Sequence, residues 1–150
     1  MMKVVIIFLV LLGAGVFWYG IPDTPNEIEA EFGGVSLRLE IVDTPEELRR
    51  GLGGRMNVPE DYGMLLVFPE PSRYGFWMKD TLVPLDIFWI GDKGHVVSMA
   101  INVATSTYPN VFYPAVPARY VLETRAGFAR AQNIATGTPL ILQNWPTVSH

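Results

Sequence analysis

Val4 to Ile21 is an apolar run of about 18 residues, relieved only by Gly13, Gly15 and Gly20. As a helix rising about 1.5 Å per residue it spans roughly 27 Å, close to the hydrocarbon thickness of a bilayer. Having no polar face, the run does not suit a surface helix of a water-soluble domain. Residues 1–21 are therefore expected to be a transmembrane signal-anchor, with Phe17, Trp18 and Tyr19 at the membrane–water boundary. A cleavable signal peptide, the alternative, has a shorter apolar stretch and ends in small residues rather than aromatic ones. Lys3 before the run and Asp23, Glu27, Glu29 and Glu31 after it favour a cytoplasmic N-terminus. The expected location is a membrane-anchored domain on the extracytoplasmic side, or a secreted domain if the signal is removed.

The remainder of the chain suits one domain with a hydrophobic core. Without Lys3, ten basic side chains stand against fifteen acidic ones, a balance that repels phosphate backbones, so nucleic acid is not an expected partner. The absence of cysteine excludes disulfides, thiolate nucleophiles, iron–sulfur ligation and lipid attachment through an N-terminal cysteine. His95 and His150 are the only imidazoles, which argues against a histidine-based triad or a zinc site. Gly51-Leu52-Gly53-Gly54-Arg55 lacks both the Gly-Lys-Ser/Thr ending of a phosphate loop and the third glycine of a dinucleotide loop. It reads as a helix stop and a flexible loop, with Arg55 free to meet an anion. No cofactor and no metal are expected.

Residues 22–34, with two prolines, spaced glutamates and Gly33-Gly34, read as a linker, so the domain is expected to begin near Val35. Val35 to Val42 alternates apolar and polar residues at the period of a half-buried strand. Thr44-Pro45-Glu46-Glu47 supplies a capping Thr, a Pro at the first helical position and a Glu three residues after the cap, and Gly51 can stop the helix. Residues 64–68, 75–78, 83–90 and 95–103 have strand length and composition, with Gly91-Asp92-Lys93-Gly94 as a hairpin loop. Residues 104–119 read as an irregular loop, 120–125 as a strand, 127–133 as a short helix, 139–143 as a last strand and 144–150 as a tail. The predicted fold is a mostly β (α+β) domain over 35–143, compact, mostly antiparallel and β-rich or small and barrel-like, with one or two short helices.

Arg50-Gly51-Leu52, Gly63-Met64-Leu65, Phe76-Trp77-Met78-Lys79-Asp80-Thr81 and Pro84-Leu85-Asp86-Ile87 occur in an order and spacing that resembles an uncharacterised family, domain of unknown function 192. Val121-Leu122-Glu123, Ala126-Gly127 and Gly137 extend the likeness, which covers roughly Val35 to Leu142. The resemblance implies a small β-rich prokaryotic domain, often preceded by a signal or anchor, with no established activity. Two positions depart from the family pattern. Gly53-Gly54 stands where the family has a bulky pair, and Asp80 where it has Asn.

Asp86 is the most informative single residue, because an aspartate in a strand apolar on both faces is costly to bury unpaired. Lys79, Arg50 and Arg55 are its candidate partners, the plainer alternatives being a structural salt bridge or a capped loop amide. Asp80, across a proline-containing bend from Asp86, could join it in general acid–base work, or in cation binding with Glu123 as a third oxygen ligand. Phe76, Trp77, Met78 and Trp89 could line a groove for sugars or peptides, or could simply be core. The candidate binding set is Arg50, Arg55, Trp77, Lys79, Asp80, Asp86 and Glu123.

With no legible nucleophile, imidazole base or metal cluster, a binding or interaction module of the cell envelope ranks first. It would be tethered by residues 4–21 and act on an envelope glycan or a protein partner. A structural accessory ranks second, and a carboxylate-dependent hydrolase of an envelope polymer third. The hydrolase requires Asp80 and Asp86 open to one cleft, and fails if Asp86 is fully buried and satisfied.

Overall fold

The computed structural model describes residues 26–148, so the expected anchor at 1–21 lies outside the described residues. Among the described residues no helix is long and apolar enough to cross a membrane. Seven strands of the described residues form one sheet: β1 (Glu27–Phe32), β2 (Val35–Val42), β3 (Tyr62–Ser72), β4 (Leu85–Ile90), β5 (Val96–Val103), β6 (Ala118–Arg125) and β7 (Leu140–Leu142). Two short helices join it, α1 (Pro45–Arg50) after β2 and α2 (Phe128–Ala131) after β6. The sheet order is β5-β4-β6-β3-β2-β1-β7, and β6 sits between β3 and β4. The sheet curls into a half-barrel whose two ends meet at a His95–Pro139 bridge, with Leu140 N–H donating to the Gly94 carbonyl at 2.8 Å.

One expectation needs correction. Residues 27–32, expected in a linker, are strand β1, paired with β2 from Glu27–Glu40 to Phe32–Val35. Ala30 and Phe32 are buried while Glu27, Glu29 and Glu31 face solvent, so the spaced glutamates are the outer side of a strand. Gly33 and Gly34, at φ 66° and 83°, make the two-residue turn, which needs the left-handed region at both positions. The sheet is mostly antiparallel, as expected, with one exception. β2 and β3 run parallel, because the crossover that carries α1 returns the chain in the same direction.

Smaller differences have local causes. Residues 75–78 form no strand and pair only through an isolated Phe76–Phe112 bridge, both of whose hydrogen bonds go to the irregular 104–119 loop. Of the expected tail, Trp145 packs on Tyr120 with ring centroids 4.6 Å apart, and Val148 touches the core.

Strand alternation divides the interior into two clusters. One takes Phe32, Leu65, Val67, Phe88, Ile90, Leu122 and the α2 residues Phe128 and Ala129. The other takes Met64, Leu66, Phe68, Phe76, Leu85, Ile87, Trp89 and Val121, under α1 and the loops. Both faces of β4 are covered, which is why it reads apolar throughout. Phe32 lies edge-on to Phe88 at 5.2 Å and stacked on Phe128 at 5.8 Å. If β1 belongs to the domain, Phe32→Ala should cost about 3–5 kcal/mol in equilibrium urea unfolding, the usual loss for an emptied aromatic core site. A linker residue would cost nearly nothing.

Candidate functional site

The helix α1 is short and sharply defined. The Thr44 side chain accepts from the Glu47 N–H and the Glu47 carboxylate accepts from the Thr44 N–H, a complete capping box with Pro45 in the first turn. The helix ends at Gly51, whose N–H returns to the Glu47 carbonyl at 2.8 Å. Leu52 N–H then turns inward and donates to Glu123 Oε2 at 2.9 Å. A Cβ at Gly51 would lie 2.7 Å from that same oxygen, so only glycine lets the helix end sit directly on the carboxyl.

A cleft of about 210 Å³ opens over this contact. Leu48, Arg49, Arg50 and Gly51 form one wall, and Tyr74, Gly75, Trp77, Lys79 and Thr81 form the other. Phe68, Phe76 and Glu123 contribute the rest of the lining. Tyr74 stacks on Phe68 with centroids 3.7 Å apart, and its carbonyl accepts from Trp89 Nε1 at 2.9 Å, which fixes the aromatic wall to β4. Trp77 is 41% exposed, meets Tyr108 edge-on at 5.9 Å and carries the Lys79 ammonium 5.7 Å from its ring centroid.

Glu123 itself is 4% exposed. Burial pushes its carboxyl up to about 7, opposed only in part by the Leu52 N–H. Among the described residues no group donates a hydrogen bond to its Oε1. Since no unpartnered side-chain oxygen among the described residues is sealed from solvent, Oε1 opens toward the cleft that Glu123 lines.

Four of the seven sequence candidates, Arg50, Trp77, Lys79 and Glu123, line this one cleft. The other three do not. Asp86 is fully buried, but its partners are not Lys79, Arg50 or Arg55. Oδ1 accepts from Asn102 N–H at 2.7 Å and Oδ2 from Ala129 N–H at 2.8 Å. The register of β4 against β5 shifts between Leu85 and Ile87, and Asp86 supplies the acceptor that the irregular ladder lacks there. Asp80 is exposed, with φ 56° in a turn whose carbonyl accepts from Gly54 N–H. Arg55 pairs with Glu40 at 2.6 Å and lies over the Tyr62 ring, and the Tyr62 hydroxyl donates to the same Glu40. Burial, then that hydrogen bond, push the Tyr62 hydroxyl well above its ordinary range.

The acid–base pair expected from Asp80 and Asp86 is therefore absent, and so is the oxygen-ligand trio with Glu123. Among the described residues no three metal-ligating side chains converge. Alternation explains the separation: Asp86 shares a face with Phe88 and α2, whereas Glu123 shares one with Val121 and the cleft. The sequence reading did not single out Arg49, Phe68, Tyr74 or Thr81. Arg49 was detectable as the neighbour of Arg50 on the last helical turn, but Tyr74 and Phe68 are joined only by the bend that follows β3.

Two substitutions test the roles of the two buried carboxyls. Glu123 has a raised carboxyl, so the folded state holds its proton where the unfolded chain, near 4.5, has released it. Stability should therefore fall as pH rises from about 4.5 to about 7 and level off above. Glu123→Gln should remove this slope and be more stable than the parent at pH 8, by an amount of order 3 kcal/mol at most, as read by urea unfolding at each pH. Asp86→Ala leaves the buried Ala129 N–H and the part-buried Asn102 N–H without an acceptor and should destabilise by about 2–4 kcal/mol at neutral pH.

Comparison with known proteins places this geometry in a family. Residues 28–142 match the family model of domain of unknown function 192 (DUF192), described as an uncharacterized ACR. A Sinorhizobium meliloti 1021 protein of solved structure, classed provisionally as a transcription regulator, is 26% identical with a TM-score of 0.73, covering 78% of this chain and 94% of that one. A protein of unknown function from Novosphingobium aromaticivorans DSM 12444 is 27% identical with a TM-score of 0.70, covering 79% of this chain and 85% of that one. No curated protein matches the chain.

Proposed function

The chain belongs to the DUF192 family, and we propose that it is a binding module of the cell envelope, held outside the membrane by residues 4–21, with its ligand in the α1 cleft. The observation that carries this reading is the juxtaposition in one open cleft of the half-exposed Trp77, the cations Arg49, Arg50 and Lys79, and the buried Glu123. A flat apolar face packs on an indole, cations at the rim attract a charged group, and a buried polar atom fixes orientation. The ligand is a segment of envelope polymer, a glycan or the peptide of a protein partner.

Hydrolysis by an Asp80–Asp86 pair drops out, because Asp86 has both oxygens satisfied in the core. The structural-accessory reading keeps Asp86, whose two oxygens complete an irregular ladder and cap an N–H of α2, but gives no reason to leave an aromatic exposed beside two arginines. The transcription-regulator description of the Sinorhizobium relative is not carried over, since an acidic chain opposes nucleic-acid contact.

The test is a thermal-shift and calorimetry screen of the full-length protein against cell-wall glycans and peptides. A ligand that binds the cleft raises the melting temperature by mass action. Trp77→Ala and Arg50→Ala should each weaken its binding by about tenfold or more, while leaving the fold intact because both side chains are at the surface. Binding that neither change affects would move the ligand off this cleft. Protection of the domain from added protease in spheroplasts, with cleavage once the membrane is permeabilised, would refute the extracytoplasmic location.

A further inference from the structure

Glu123 is unusual among the charged side chains near the cleft in having a single protein hydrogen bond and almost no solvent. The groups that face it are limited. The end of α1 presents Arg49 and Arg50, and the segment after β3 presents Tyr74 and Lys79. The flanking strands β3 and β4 present Met64 and Ile87 opposite it in register. Among the described residues no other carboxyl lines the cleft, and none of the three cations forms a salt bridge with Glu123.

Resting on the cleft-binding reading, we propose that Glu123 meets the ligand as a neutral carboxylic acid, donating a hydrogen bond to the carboxylate of an acidic saccharide whose ring lies on Trp77.

The chemistry comes from the groups that surround the cleft. A cationic ligand would meet three positive side chains at the rim before reaching Glu123. An anionic ligand is drawn by the same three, and needs a donor at the floor rather than a second negative charge. A protonated carboxyl is such a donor, and burial keeps the proton on Glu123 near neutral pH. The free Oε1 points the donor outward, because Oε2 is already the acceptor for Leu52 N–H. An acidic sugar joins, within one ring, a flat C–H face for Trp77 and a carboxylate for the floor and rim. The cleft, at about 210 Å³, is small and suits a single ring better than a longer segment. Binding is therefore linked to proton retention: once Glu123 ionises, the floor and the ligand repel each other.

Calorimetry on the full-length protein with tri-galacturonate, neutral maltotriose and tri-glutamate, from about pH 5.5 to about pH 8.5, tests this. The uronate carboxylates stay ionised throughout that range. Tri-galacturonate should bind at least about tenfold more tightly than maltotriose, and its affinity should fall about tenfold per pH unit above about 7. Glu123→Gln retains an N–H donor and should hold the low-pH affinity up to pH 8.5. Should that variant fail to fold, titration of the parent at pH 8 in buffers of differing ionisation enthalpy should show proton uptake on binding.

Several outcomes overturn the proposal. One is an affinity that is flat or rises with pH, and another is an absence of proton uptake. Equal binding of tri-glutamate would replace the saccharide with a peptide. Binding of maltotriose and tri-galacturonate alike, pH-independent but lost in Trp77→Ala, would sink the role of Glu123 and leave the cleft-binding reading intact. No binding by either saccharide, with a cell-wall peptide bound at Trp77 instead, would keep the cleft and remove the sugar. No cleft-dependent binding of any kind would remove both.

Discussion

The alternation of side chains along β6 is the constraint on which the rest of this structure depends. The strand is paired on both sides, with β3 and with β4, so its register fixes what each neighbour presents above and below the sheet. Leu122 goes to the cluster closed by α2, and Val121 and Glu123 go to the face closed by α1. A glutamate in the middle of a doubly paired strand cannot escape to water along the sheet. Something must come to it, and what comes is the end of α1, whose Gly51 admits contact and whose Leu52 supplies the N–H. The placement of the helix, and with it of Arg49 and Arg50, is thus coupled to a single buried carboxyl more than 70 residues later in the chain.

Two buried carboxyls in one small domain solve the same desolvation problem differently, and the difference separates structure from function. Asp86 receives one N–H on each oxygen, from an irregular strand and from α2, and so completes two backbone irregularities at once. Glu123 receives one N–H on one oxygen and keeps the other toward the cleft. A fully satisfied carboxylate is part of the scaffold. A half-satisfied one has a capacity that only a ligand, a water or a proton can fill.

Much of this could be read from the residues. The capping box at Thr44 and Glu47, the Gly91–Gly94 hairpin and most strands were visible because each is encoded over a few adjacent positions. The burial of Asp86 could be inferred from the apolar residues around it, and capped backbone amides were one alternative for its partners, but which amides could not be read, because they leave no mark in a sequence. Strand β1 was hidden by its glutamates. Their spacing suggested a solvated linker, although Ile28, Ala30 and Phe32 alternate with them and Gly33-Gly34 can make a primed turn. The cleft was legible only in part. Arg50, Trp77 and Lys79 sit in conspicuous motifs, while Tyr74 and Phe68 meet through the path of the chain after β3, which no local pattern specifies.

The position of Asp80 shows how a departure from a family pattern can be structural rather than chemical. Its φ of 56° lies in the left-handed region that asparagine and aspartate tolerate better than most residues, so either suits the turn. The turn matters because the Asp80 carbonyl accepts from Gly54 N–H, tying the loop after α1 to the segment that carries Trp77 and Lys79. The two walls of the cleft are therefore joined at this end by backbone alone. The added negative charge faces solvent, outside the cleft lining. An exposed carboxylate next in sequence to Lys79 is screened by water and salt, so it does little to the attraction an anion feels at the mouth. The electrostatics of this cleft then combine the cations at its mouth, which solvent moderates, with the one carboxyl beneath them that solvent barely reaches.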